Sequence, residues 1–149
     1  MNKITRIASV GALVFAFGAT AQADVTVKVA YDADPVSLDP HEQLSGGTLQ
    51  LSHMVYDPLL RWTKDLQFEA RLAESWEQVN PTTTRFHLRD GVTFHSGNPL
   101  TAADVDWTFD RLKRSDDFKG IFSLFTDVKV IDDNTFDLIT SEPYPLVLH

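Results

Sequence analysis

Apolar and polar residues alternate on both sides of Asp90-Gly91, with Phe86 and Leu88 before the pair and Val92 and Phe94 after it. A period of two marks half-buried strands. If all four apolar side chains face one core, Leu88 pairs with Val92 and Phe86 with Phe94. That parity predicts a three-residue loop, Arg89-Asp90-Gly91, with Gly91 left-handed, because a two-residue loop would set apolar side chains against outward ones. The same argument applied to Val128 and Val130 against Phe136 and Leu138 predicts a three-residue loop over Asp132-Asp133-Asn134, with Asn134 tolerating the left-handed position. Between the two hairpins the period changes. Thr101 and Asp104 form a capping pattern after Pro99, and Val105, Phe109 and Leu112 follow at i, i+4 and i+7, which predicts a helix from Ala102 to about Ser115.

The remaining elements are shorter. Val25, Val27, Val29 and Tyr31 alternate as an opening strand, and Pro35 and Pro40 force an extended path through Asp32 to His41. Gly46-Gly47 precedes a helical run from Thr48 to Tyr56, with Leu51, Met54 and Val55 inward and Pro58 as its end. Leu59 to Trp62 and Thr82 to Arg89 read as strands, Leu72 to Trp76 as a helical turn or a bridging segment, and the apolar run Ile121 to Phe125 is left unassigned. The fold class is mixed α/β of the α+β kind, with short antiparallel strands and two or three helices.

Residues 1–23 stand apart from this pattern. Lys3 and Arg6 precede an apolar run from Ile7 to Ala19, and Ala21-Gln22-Ala23 is an A-x-A site, so a signal peptide cleaved between Ala23 and Asp24 is expected. The run falls short of the ~20 residues that a bilayer span needs. With no cysteine in the chain, neither disulfides nor lipid attachment at the cleavage site is open to it. A soluble periplasmic protein, not a lipoprotein, is the expectation. Removing Lys3 and Arg6 takes the net charge from −8 to −10, which disfavours nucleic acid and anionic membrane surfaces as partners.

Candidate chemistry is sparse. On the predicted hairpin His87 and His95 would lie outward, a diagonal ~7–8 Å apart, without a third ligand at a suitable spacing, so no metal site is assigned. The acid pairs Asp116-Asp117 and Asp132-Asp133 sit where turn formers belong, and Ser75 lies in AESWE rather than in a nucleophile elbow. No enzyme and no cofactor is expected. Most of the aromatic residues are expected to fill the core, and Trp76 and Trp107 read as packing residues.

The runs LAESWE, FHLRDGVTFHSG and PLTAADVDWTFDRL, with VSLDPH at Val36 to His41, VYDPLLRW at Val55 to Trp62 and SEPYPLVL near the end, resemble the solute-binding proteins of peptide-type ABC importers. That family includes dipeptide, oligopeptide and nickel binders. The chain departs from the family pattern in two turns: Asn80-Pro81-Thr82-Thr83-Thr84 replaces an Asp-Gly type turn, and Lys64-Asp65-Leu66-Gln67 lacks a glycine. The resemblance implies the N-terminal part of a two-lobed periplasmic-binding-protein fold, and a protein several times longer. Residues 24–59 would begin the first lobe, and 60–149 would form the family's additional small domain, incomplete at its C-terminal end. A monomer that captures a short peptide or similar solute and hands it to an ABC permease is implied. Ligand contacts are expected at Gln43, Leu44, Ser45, Gly46, Gly47 and Thr48, where the glycines would permit close backbone approach. An ordinary connector is the competing reading of that loop. The alternatives for the whole chain are a stand-alone secreted interaction module and a binder of nickel or a metal complex.

Overall fold

The computed structural model describes residues 34–148, together with Thr26, Lys28 and Ala30 singly. The expected signal peptide, its Ala23–Asp24 cleavage point and the opening strand through Val25, Val27, Val29 and Tyr31 lie outside the described residues. A compact unit from Tyr31 to His149 holds every described element.

In chain order these are α1 (Gly46–Val55), β1 (Leu60–Trp62), β2 (Phe68–Ala70), β3 (Ala73–Asn80), β4 (Thr83–Leu88), α2 (Ala102–Arg114), a 3₁₀ turn (Ile121–Leu124), β5 (Phe125–Asp132) and β6 (Thr135–Thr140). All strand pairings are antiparallel: β1 with β2, and a four-stranded sheet in the order β3-β4-β6-β5. The mixed class with two α-helices agrees with the expectation from the sequence.

The core forms where β4 and β6 lie side by side. Thr84, Phe86 and Leu88 of β4 are buried at alternate positions, as period-two strands require. Phe86 pairs with Phe136, and their rings stack with centroids 5.2 Å apart. Val105 and Leu112 are buried on one face of α2, which packs against β5. Phe109, beside them, meets Phe122 and Phe125 at 5.5 and 5.7 Å. The helix starts at Ala102 as its cap predicts: Asp104 Oδ2 accepts from the Thr101 backbone N–H at 2.8 Å and from its hydroxyl at 3.0 Å.

The first hairpin is not the one that parity predicts. β4 pairs with β3 on one side and β6 on the other, and Val92 to Phe94 forms no strand with it. Alternation identifies a buried face but not the neighbour that shares it. Ala73–Asn80, which carries its own alternation weakly, takes the place assigned to Val92–Phe94, and Leu72–Trp76 is neither a helical turn nor a bridge. Val92–Leu100 closes on itself through a Thr93–Pro99 bridge, leaving Phe94 46% exposed. Gly91 is left-handed as expected, with φ 71°.

In the second hairpin Val128 pairs with Leu138 and Val130 with Phe136, as predicted, but the loop differs. Asp132 pairs with Thr135, so Asp133-Asn134 alone turns the chain, and an irregularity between Val130 and Asp132 absorbs the odd residue. Asn134 does not adopt positive φ. In α1 Met54 and Val55 are exposed rather than inward, and Trp107, on the outer side of α2, is 60% exposed rather than packed.

Both turns that depart from the family pattern have a local explanation. Asn80 Oδ1 accepts from the Thr82 backbone N–H at 2.9 Å and from its hydroxyl at 3.1 Å, an Asx turn that makes a glycine unnecessary. Between β1 and β2, Thr63 N–H donates to the Gln67 carbonyl at 2.8 Å around a three-residue loop, whose last residue takes the left-handed position. That residue is Leu66, at φ 56°, the one non-glycine residue at positive φ among those described.

A left-handed L-residue costs roughly 1–2 kcal/mol, against roughly 0.5–1 kcal/mol for the extra chain entropy of glycine. Leu66 is 74% exposed and has little packing to lose. Leu66→Gly is therefore expected to stabilise the protein by about 0.5–1 kcal/mol in urea unfolding. An unchanged or lower midpoint would show that the turn is unstrained. By the same measurement Phe136→Ala, at a fully buried position, should cost about 3–5 kcal/mol, and Phe94→Ala much less.

Candidate functional site

The segment from Ser37 to Thr48 is built from side chains that fold back on their own backbone. Asp39 N–H donates to Ser37 Oγ at 3.0 Å, His41 N–H donates to Asp39 Oδ1 at 2.9 Å, and the Ser37 hydroxyl donates to Glu42 Oε2 at 2.8 Å. Pro40 fixes the bend between them.

Three side chains, from the C-terminal end of α2 and the residues just after it, hold this segment. Arg111 grips both carboxylate oxygens of Asp39, with Nη1 3.0 Å from Oδ1, and the same Nη1 lies 3.2 Å from His41 Nδ1. The Ser115 hydroxyl donates to the His41 carbonyl at 2.5 Å. Asp117 Oδ2 accepts the Leu44 N–H at 3.0 Å. The hydrogen bonds from Arg111, and then the His41 backbone N–H, hold the Asp39 carboxyl below its ordinary range. Burial, and then the Arg111 charge, depress the His41 imidazole below its ordinary 6.5. Beside these groups lies an open cleft of about 460 Å³ with a charged lining that includes Glu42, Arg114 and Asp116.

The expected contact residues Gln43 to Thr48 come together at the start of α1. Ser45 is its N-cap, accepting from the Thr48 N–H at 3.4 Å, and a chain of hydroxyls runs from Ser45 to Thr48 at 2.9 Å and on to Gln43 Oε1 at 3.2 Å. Thr48 is buried, so its side chain serves the fold, whereas Leu44 is 45% exposed. Gly46 and Gly47 form the first two helical positions. Neither has positive φ, and a Cβ at either would meet nothing within 4 Å. Their N–H groups have no acceptor among the described residues. The loop is thus a capped helix start with uncovered donors, which can meet a carbonyl or carboxylate oxygen. The Ser45 cap was not read from the sequence, although a serine just before a helical run is the local signal for one. The clamp has no such signal, because Asp39 and Arg111 lie 72 positions apart.

His87 and His95 do not share a face: His87 is on β4, with Nδ1 3.4 Å from Thr135 Oγ1, and His95 lies in the turn within Val92–Leu100. Among the described residues no group of three or more potential metal ligands occurs.

A chain with this sheet, this capped helix and this clamped loop belongs to the bacterial extracellular solute-binding proteins, family 5, whose middle region matches residues 67–149. That is a family of binding proteins rather than of enzymes. The periplasmic oligopeptide-binding protein OppA of Salmonella typhimurium is 29% identical over 129 residues, covering 73% of this chain and 24% of its own. The HTH-type transcriptional regulator SgrR of Shigella flexneri is 29% identical over 126 residues, covering 82% and 22%. Among solved structures, the solute-binding protein MoaA of A. tumefaciens R10, in complex with mannopinic acid, superposes with a TM-score of 0.66 at 30% identity, covering 74% of this chain and 24% of that one. The chain spans 22 to 24% of the length of these two curated relatives.

The N-cap is open to a direct test. Ser45→Ala should destabilise the protein by about 1 kcal/mol, and Ser45→Gly by only a few tenths. No loss in thermal unfolding for either variant would mean that the Ser45 hydroxyl contributes nothing as a cap.

Proposed function

We propose that this chain is part of the periplasmic binding component of an ABC importer, which captures a short peptide or a similar small solute and delivers it to the membrane permease. The observation that carries the proposal is the match of residues 67–149 to a solute-binding family, on a fold shared with a protein solved around a small acidic ligand. Residues 24–59 begin the first ligand-binding lobe, and 60–149 belong to the small domain that braces it. The Gly46 and Gly47 N–H groups face the ligand, and Leu44 and Ser45 border it. Gln43 and Thr48 support the loop from behind through their hydroxyl chain. Closure of two lobes follows from the ligand's extra contacts in the closed form.

Similarity to SgrR shows that this region also occurs in a transcriptional regulator. The signal-peptide pattern of residues 1–23 favours export, and with it the periplasmic reading.

The test is a thermal-shift screen of the full-length protein against short peptides, opine-type amino acid conjugates, oligosaccharides and nickel chelates. A ligand at 100 times its dissociation constant should add about 2.7 kcal/mol of stability. No shift with any member of the panel would overturn the proposal, and a shift confined to nickel chelates would move it to metal-complex uptake.

A further inference from the structure

We propose that Arg111 is the positioning residue for the segment Ser37–Thr48, and that it holds this segment only while His41 is neutral, so that mild acid releases the candidate loop from α2. The proposal deepens the solute-binding reading and rests on it for its consequence, the loss of ligand grip at acid pH. The clamp itself rests on geometry alone.

A guanidinium has donors and no acceptor. At 3.2 Å from Arg111 Nη1, His41 Nδ1 must therefore be the bare, accepting nitrogen. Protonation places an N–H and a positive charge against the guanidinium, and an attraction becomes a like-charge contact. Asp39 could compensate, but Arg111 already engages both of its oxygens, and its Oδ1 also accepts the His41 backbone N–H. Glu42, on the same segment, is engaged by Ser37. At the α2 end, Asp116 pairs with Lys119 at 2.6 Å, Asp117 holds the Leu44 N–H and Arg114 reaches Asp110 at 3.9 Å. From the end of α1, the Tyr56 hydroxyl donates to the Leu38 carbonyl at 3.5 Å. Of these groups Asp39 does favour an imidazolium at His41 by its charge, but burial and the Arg111 charge outweigh it and hold the imidazole below its ordinary value.

The direction of the pH effect follows. Burial and Arg111 lower the folded-state pKa of His41, so the unfolded or released segment binds the proton more readily. The clamp is at full strength above the ordinary imidazole value of 6.5 and weakens as pH falls through it towards the depressed value. Carboxylates titrate lower, so a comparison between about pH 7.5 and pH 5 isolates imidazoles. His53 is the other imidazole between Ser37 and Tyr56, and it is exposed on α1.

The experiment is hydrogen exchange by mass spectrometry on the full-length protein, expressed as protection relative to the unstructured chain at each pH. It follows peptides spanning Ser37–Leu49, with those of α2 as internal control. The parent should lose protection several-fold in this segment on going from about pH 7.5 to pH 5, with α2 unchanged. His41→Gln, which keeps an accepting oxygen without a titration in this range, should abolish the step. His53→Gln should retain it. Arg111→Lys, which keeps the charge but not the fork, should lower protection of the segment at both pH values. A parent without a pH step, a step that survives His41→Gln, or normal protection in Arg111→Lys would overturn the proposal. Should Arg111→Lys fail to fold, the two histidine variants decide. The measurement uses no ligand, so an empty ligand screen and a failed clamp are separate outcomes.

Discussion

The structure depends on β4 being satisfied on both of its edges while one of its faces is buried. Its backbone groups pair with β3 and β6, and Thr84, Phe86 and Leu88 point together into the core. A strand in that position cannot shift by one residue without turning Arg85 and His87 inward. The outer face shows why the register also suits the charges: Arg85 lies directly across from Asp137, with paired hydrogen bonds of 2.7 and 2.9 Å. Those bonds, and then the Arg85 charge, hold the Asp137 carboxyl below its ordinary range despite its burial. The apolar and the ionic side of the strand thus fix the same register.

Everything that positions the candidate site hangs from this sheet. α2 is seated against β5 through Val105 and Phe109, and its first N–H donates to the Asp133 carbonyl at 2.7 Å in the β5–β6 turn. The far end of α2 and the turn after it then carry Arg111, Ser115 and Asp117, which reach the segment Ser37–Leu44 by side-chain hydrogen bonds. The loop ahead of α1 is therefore placed by a polar clamp on a hydrophobically anchored helix. Apolar packing is insensitive to pH in this range and the clamp is not. The division puts adjustability at the loop and rigidity in the sheet.

What could be read from the sequence divides along the same line between local and distant physics. The Thr101 cap, the extent of α2, the left-handed Gly91 and the pairing of Val128 with Leu138 each depend on residues within about a dozen positions of one another, and the structure shows all four. The partner of β4 depends on residues about fifty positions apart at β6, and alternation carries no information about such pairings. The first hairpin was misassigned because β3, the neighbour adjacent in sequence, alternates only weakly, and alternation does not say which neighbour shares a buried face. Trp107 was misread because a tryptophan was assumed to be buried; it lies outward with Arg111 above its ring at 5.7 Å. For the candidate site, Gly46-Gly47 announces a helix start, but nothing in the chain announces that Arg111 clamps Asp39. Leu66 was visible only as a missing glycine, and its positive φ gives that absence a physical meaning.

The central claim is that this framework serves a protein that encloses a small solute. Native mass spectrometry of the full-length protein, purified gently from the producing cells without added ligand, tests it most directly. The account predicts a population heavier than the polypeptide by the mass of a small molecule, which disappears on denaturation and returns when the released fraction is added back to refolded protein. A mass equal to the polypeptide alone in every preparation, with no adduct regained after refolding in an extract of the same cells, would contradict it.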